Sequence, residues 1–171
     1  MKPIAWLAAV TALSACAVGA SIATGFYNPF DRRMTRVCEK ILIDRLRSPS
    51  TYKRIEIDHY SDPVPLEEFR KIREDEIAKT SNAGYRDFER QMLKINTDLI
   101  ASGSRGAPIM FKKYIRYDAA NAYGTPIRAL SECTLLSENG SESEASIFNV
   151  RVDGTTKSEY LIKLIKESNQ N

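Results

Sequence analysis

The sequence predicts an α+β fold in which an antiparallel sheet of about four strands has helices packed on one face. The first observation is a pair of runs rich in aromatic and branched residues, 108–117 and 127–136, on either side of a segment of turn formers. The second is a helical spacing of apolar residues before and after these runs. The order is helix, strand, a long helical segment, three strands and a helix, which favours antiparallel pairing between strands that are neighbours in sequence.

Size and composition favour one domain. The chain has 171 residues, of which 43% are hydrophobic, enough for one core. Its formal net charge is only +3, with both signs interleaved. Nucleic-acid-binding proteins usually carry a much larger basic excess, so we expect no nucleic-acid partner. We divide the chain into a targeting segment, 1–25, and a domain, 26–171, with a helical insertion at about 64–103.

The targeting segment has three interpretations. Lys2 is the sole charged residue among the first 30, and a short apolar run follows it, as in an export signal. Leu13-Ser-Ala-Cys16 resembles the lipobox of bacterial lipoproteins, which implies lipidation of Cys16 and cleavage before it. Alternatively, an ordinary signal peptidase cuts after a small-x-small site at 18–20 or 21–23. In the third interpretation the segment stays as a single membrane span, since about 20 apolar residues can cross a bilayer.

The domain begins with a helix and a strand. Asp31 is placed to cap a helix that runs to about Arg47, where a Ser-Pro-Ser sequence ends it. Thr51–Tyr60 alternates as a strand does, with Ile55 and Ile57 on the side of His59. The apolar stripe of the helix has spacings of three and four, and comprises Met34, Val37, Cys38, Ile41, Leu42 and Leu46.

The insertion is predicted to hold two helices. Leu66–Lys79 is highly charged with sparse apolar positions, which is typical of a solvated helix. The second helix, Tyr85–Ala101, has a stripe with the spacing of a coiled-coil seam. Because the stripe lasts barely two heptads, we expect it to pack on the domain's own sheet. Its members are Tyr85, Phe88, Met92, Ile95 and Leu99.

Alternation assigns the faces of the later strands. Ile109, Phe111, Ile115 and Tyr117 share one side, which Lys113 interrupts. Ile127, Ala129, Ser131, Cys133 and Leu135 share a side of the next strand. A further strand is predicted at 144–152, with Ser146, Phe148, Val150 and Val152 on one side. Thr156 and Glu159 fit a capping box for a last helix that packs through Tyr160, Leu161, Leu164 and Ile165.

The three cysteines are consistent with export. If Cys16 carries lipid, Cys38 and Cys133 remain as a pair for a disulfide in an oxidising compartment. Both would point inward if the first helix covers the sheet. The alternative is a pair of buried free thiols, which is common for cysteine.

Several short motifs resemble a family. Leu46-x-Ser-Pro-Ser-Thr51 and Asp118-x-x-Asn121-x-Tyr-Gly124, followed by Arg128 and Cys133, resemble a pattern in small exported bacterial proteins of unknown function. The resemblance covers roughly 37–60 and 109–136 and leaves the insertion unexplained. It implies no activity. It implies a compact domain in which the helix of Cys38 packs on the strand of Cys133.

Two polar features are candidate sites. Asp118, Asn121, Tyr123 and Arg128 are predicted to form a recognition patch, or else a structural turn, since Asn bonds nearby backbone and Gly allows positive φ. His59, the single histidine, is either half of a catalytic dyad or a strand-surface residue. No second histidine or free cysteine completes a typical zinc set, so no metal or other cofactor is expected. Serine-nucleophile and phosphate-loop motifs are also missing from the sequence, so we expect no enzyme.

These features favour a bacterial envelope protein, a lipoprotein with a non-catalytic binding or structural role. We expect it to face the periplasm, attached to the membrane through lipid or anchor, with an envelope protein as a further partner. The second choice of localisation is secretion into the periplasm. The alternative function is a single-span accessory subunit of a larger membrane complex. A third is a small hydrolase that uses His59.

Overall fold

The computed structural model of the protein describes residues 31–170, so the predicted targeting segment and Cys16 lie outside the described residues. Two short 3₁₀ helices, Pro49–Thr51 and Glu142–Glu144, connect the main elements. The predicted α+β class is confirmed. The main elements are α1 (Asp31–Arg45), β1 (Lys53–Pro63), α2 (Leu66–Ala78), α3 (Ala83–Ala101), β2 (Ile109–Ala120), β3 (Pro126–Ser137), β4 (Arg151–Val152) and α4 (Lys157–Ser168).

The four strands form one antiparallel meander in the order β1-β2-β3-β4. Lys113 of β2 is paired with His59 of β1 on one side and with Cys133 of β3 on the other. The predicted central pair is therefore correct, and Asn121 with its neighbours forms the turn between its strands. β1 lies at an edge of the sheet and carries many charged side chains, which disfavour pairing with a foreign strand.

The main core lies between α1 and one face of the sheet. Four residues of the predicted α1 stripe are buried there: Met34, Cys38, Ile41 and Leu42. They pack with Ile115, Cys133, Leu135 and Val152, which point from three strands to the same side. The period-based predictions are confirmed for this helix and for Ile115, Cys133 and Leu135 of the sheet, whereas Ile127, predicted on the same side of β3, is 49% exposed.

Lys113 is buried within the apolar side of β2. Its side chain is 1% exposed, and its Nζ lies 3.2 Å from Oε2 of Glu142, whose side chain is 12% exposed. A charge this deep requires a charged or strongly polar partner, because desolvation alone would be very costly. The residue that interrupts the hydrophobic pattern is thus held by an ion pair that crosses from the sheet to the second 3₁₀ helix.

A smaller core lies under α2 and α3. Val64, Phe69, Ile77 and Leu93 are buried together, and Met110 and Leu136 pack against them. Met110 and Leu136 alternate with Phe111 and Leu135 of the main core, so they point to the opposite face. The helices therefore lie on both faces of the sheet and not on one, because the strand ends offer apolar side chains on each side.

The predicted strand at 144–152 is wrong for most of its length. Strand pairing is confined to Arg151–Val152. The Oδ1 atom of Asn149 accepts hydrogen bonds from the backbone N–H and the hydroxyl of Ser146, which closes a local turn. Such side-chain bonds to nearby backbone compete with a strand ladder. Phe148 consequently points outward and is 74% exposed.

Two predicted packing faces are also wrong. The α3 stripe of Tyr85, Phe88, Met92, Ile95 and Leu99 is exposed, and α3 packs through Leu93 and Thr97 instead. In α4, Leu161, Leu164 and Ile165 are exposed as well. The periodicity correctly groups residues on one side of each helix, but the domain's own sheet does not cover these sides.

Candidate functional site

The predicted recognition patch divides into an ion pair and a turn. Asp118 and Arg128 are directly opposite each other on β2 and β3. Nε and Nη2 of Arg128 donate to the two carboxylate oxygens of Asp118 at 2.9 and 3.0 Å. The hydrogen bond from Arg128 lowers the pKa of Asp118, and the same bond raises the pKa of Arg128. Each charge of the patch is thus engaged by the other.

Asn121 has the geometry that the turn interpretation requires. Its Oδ1 accepts hydrogen bonds from the backbone N–H groups of Tyr123 and Thr125, at 2.9 and 3.0 Å. Gly124 follows with a φ of 80°, a conformation that favours glycine. The turn leaves the Tyr123 ring projecting into solvent, with 92% of the residue exposed. Of the four patch residues, Tyr123 is therefore the one whose side chain the fold does not use.

His59 lies on the exposed surface of the edge strand β1. In a catalytic dyad for covalent catalysis, the imidazole lies within hydrogen-bond reach of a nucleophile and is oriented by a third group. Among residues 31–170, no hydrogen bond or ion pair involves the His59 side chain. The same part of the chain holds no group of three His, Cys, Asp or Glu residues arranged for a metal ion.

Cys38 and Cys133 form a disulfide that joins α1 to β3. Their Cα atoms are 6.0 Å apart, and both residues are completely buried. The helix stripe and the strand face thus bring together the two cysteines that the sequence pairs. The bond links residues 95 positions apart, at the centre of the main core.

The most extended apolar surface on α3 is a stripe, defined here as the α3 stripe: Tyr85, Phe88, Met92, Ile95 and Leu99. Its residues are between 38 and 54% exposed. Successive members are three or four positions apart, so they lie in one row along the helix. Leu93 and Thr97, which attach α3 to the domain, lie on a different side. The helix thus has one apolar side for its own fold and a second one that faces solvent.

Helix α4 is attached to the domain through its first turn. Thr156 and Glu159 form the predicted capping box, and Lys157 Nζ lies 2.7 Å from Asp44 Oδ2. The guanidinium of Arg45 lies 4.5 Å from the centre of the Tyr160 ring and also donates to the carbonyl oxygen of Val152. From Leu161 to the end of the helix every described residue is exposed. We define the α4 apolar face as Leu161, Ile162, Leu164 and Ile165.

A polar cleft of about 360 Å³ lies between the end of α2 and the start of α4. Arg73 Nη1 is 2.7 Å from Glu76, and Arg151 contacts Glu76 at 3.2 Å and Glu159 at 2.9 Å. Glu89 and Glu138 also pair with Arg73. The acidic groups neutralise both arginines, so the network joins α2, α3, β4 and α4 without a net positive centre. The sequence contains no local signal for this network, since its members are up to 86 positions apart (159 − 73).

We expect the exposed face of α2 to tolerate loss of charge. Replacing Glu68, Lys71 and Asp75 together with Gln, Gln and Asn should change the free energy of unfolding by less than about 0.5 kcal/mol, because all three are exposed. Glu76→Gln is the matched control, since Glu76 lies between Arg73 and Arg151. That single change should destabilise the protein by about 1 kcal/mol. Thermal melting of the two variants measures the difference, and a larger loss in the triple variant would contradict the assignment.

None of the helices within residues 31–170 is long and apolar enough to cross a membrane. The chain matches no protein-family model, and no curated protein or solved structure is significantly similar to it.

Proposed function

We propose that this protein is a non-catalytic binding protein of the bacterial envelope, tethered at its N-terminus and carrying a disulfide-linked domain. The observation that carries the binding role is the α4 apolar face, which the domain displays and does not cover. Support for the envelope comes from the apolar segment behind Lys2 and from the disulfide between Cys38 and Cys133. Disulfides persist in oxidising compartments and are rare in the cytosol.

The length and exposure of α4 favour a partner. The helix has 12 residues, and isolated helices of this length are marginal in water. Its four apolar side chains are between 41 and 60% exposed, so covering them would stabilise the helix and the complex together. An amphipathic helix gains its stability mainly from the surface against which it packs.

The charges of α4 favour a protein surface over a lipid surface. Lys163 and Lys166 are balanced by Glu159 and Glu167 along the polar side, and Lys163 pairs with Glu167 at 3.9 Å. Helices that lie on anionic membranes usually carry an excess of Lys and Arg on that side. We therefore assign the α4 apolar face to an apolar groove on another envelope protein.

The proposed tether has a direct test. We expect the native protein, isolated from a membrane fraction, to begin at Cys16 and to carry the mass of the attached lipid. Cys16→Ala should abolish both the lipid and the cleavage. A chain that begins at Met1 would instead support the single-span accessory subunit, and one that begins after residue 20 or 23 without lipid would support secretion. Intact-protein mass spectrometry distinguishes these products.

The binding role has a separate test. A photo-crosslinking amino acid in place of Ile165 should form one discrete adduct in intact cells, and Leu161→Asp in the same chain should remove it. The same crosslinker in place of Lys71, which is exposed on α2, is the matched control and should form none. Equal labelling at both positions would contradict a specific surface on α4.

A further inference from the structure

The α3 stripe repeats in the manner of a coiled-coil seam. Its spacings are three, four, three and four. Tyr85, Met92 and Leu99 therefore take the a positions of a heptad, and Phe88 and Ile95 take the d positions. The stripe spans 14 positions (99 − 85), or about 21 Å of helix. Because the domain buries a different side of α3, this seam is available on the outside of a helix that is already fixed in place.

We propose that the α3 stripe binds the α3 stripe of a second copy of this chain, with the two helices antiparallel. In this arrangement Phe88 meets Leu99 of the second copy, and Met92 meets Ile95. Two-fold symmetry repeats both contacts, so four layers form from a single surface. Each layer combines one larger or more flexible side chain with a branched aliphatic one, which allows the layers to interdigitate.

The residues beside the stripe are compatible with this register. On one side Glu89 is held by Arg73 at 3.3 Å and Asn96 by Glu138 at 2.7 Å within the same chain, so neither side chain selects the register. On the other side Gln91 meets Asp98 of the second copy. Sliding one helix by a heptad toward the C-terminal ends would bring Asp98 against Asp98 of the second copy, which repels. The chosen register avoids this like-charged pair beside the seam.

The same charges disfavour a lipid surface as the occupant. Asp98 flanks the apolar side chains on one side and the Arg73-bound Glu89 on the other, whereas helices that bind anionic membranes have basic residues there. The area is also appropriate for protein association. Five half-exposed side chains offer roughly 500 Å² on each copy, so the interface would bury about 1,000 Å² in total, near the lower limit for specific complexes. We therefore infer a weak dimer, which does not depend on the proposed α4 partner.

Cross-linking between two tagged copies of the full chain tests the orientation. All copies carry Cys16→Ser, so that the added cysteines are the reactive ones beside the buried Cys38–Cys133 bond. One copy carries Phe88→Cys and the other Leu99→Cys, and both are treated with a short bismaleimide in detergent-free extracts. We expect a cross-linked product that contains both tags. Two Phe88→Cys copies should give little cross-linked product. In the proposed register the two Phe88 positions are separated along the helix axis by 11 residues, or about 16 Å.

A second change and a matched control complete the test. Met92→Lys in both copies should reduce the Phe88→Cys/Leu99→Cys product at least about tenfold, because two like charges would enter the seam. The melting temperature should stay the same, since Met92 is exposed in the single chain. Arg90→Cys copies should not cross-link, because Arg90 lies on the opposite side of α3. The proposal is wrong if Phe88→Cys copies cross-link to each other, if Arg90→Cys copies do so equally, if the mixed pair gives no product, or if Met92→Lys has no effect.

Discussion

Glu142→Gln should lower the free energy of unfolding by about 3 kcal/mol or more. The substitution keeps the size of the side chain but removes the carboxylate that lies 3.2 Å from the Lys113 ammonium. Lys113 is almost completely buried, so its charge cannot regain the hydration that it has in the unfolded chain. The cost is therefore mainly the penalty of a buried charge that is no longer compensated by the Glu142 carboxylate. Urea denaturation of the two proteins measures this loss of stability. We expect the free energy of unfolding to depend on urea concentration with the same slope in both.

The double variant Glu142→Gln/Lys113→Met separates the pair from the packing around it. Removing both charges should recover most of the loss, because a buried ion pair adds little net stability over apolar groups of similar volume. The matched control is Asp62→Asn. It breaks an exposed ion pair between β1 and β2, in which Lys112 Nζ lies 3.6 Å from Asp62. That change should cost less than about 1 kcal/mol. Similar losses for Glu142→Gln and Asp62→Asn would contradict the buried-charge explanation.

The main core was predictable from the sequence because it follows local periodicity. The spacing of Met34, Cys38, Ile41 and Leu42 determines one side of a helix, whatever lies opposite. Alternation in β2 and β3 determines one side of a sheet in the same way. The two faces are the most apolar of their elements, and they bury each other. The disulfide follows from this arrangement, since one cysteine lies on each face.

The exposed surfaces were not predictable, because periodicity does not say what covers a side. Helix α3 carries the apolar α3 stripe, yet it packs through Leu93 and Thr97. Phe69 and Ile77 of α2 fill the space beneath it, and this contact depends on the geometry of the helical pair. The ion pairs of Arg73 and Arg151 likewise join four separate elements. Only the fold brings those charges together, so single-sequence patterns miss them.

The candidate patch was predictable in part. Asn and Gly at fixed spacing indicate a turn, and Asn121 and Gly124 form one. The pairing of Asp118 with Arg128 depends on strand register, which places these residues directly opposite each other across β2 and β3. The turn residues alone do not specify that register.

Cys133→Ser should lower the free energy of unfolding by about 2–5 kcal/mol. The bond to Cys38 spans 95 positions, so its loss gives the unfolded chain much more conformational freedom. It also removes the covalent link between α1 and the sheet. We therefore expect the amides of α1 to exchange with solvent faster in the variant, whereas those at the β2–β3 pairing change less. Hydrogen exchange followed by mass spectrometry measures the exchange rates of both regions.

Reduction of the unaltered protein provides the matched control, because it breaks the same bond without a substitution. Its effect should agree with Cys133→Ser within about 1 kcal/mol, as should that of the double variant Cys38→Ser/Cys133→Ser. A free-thiol assay on denatured protein from the native host then connects stability with compartment. An exported domain should show no reactive thiol at Cys38 or Cys133, whereas a cytosolic domain should show both. Two reactive thiols would contradict the proposed envelope location, while the in vitro difference between oxidised and reduced protein would still report the contribution of the bond to the fold.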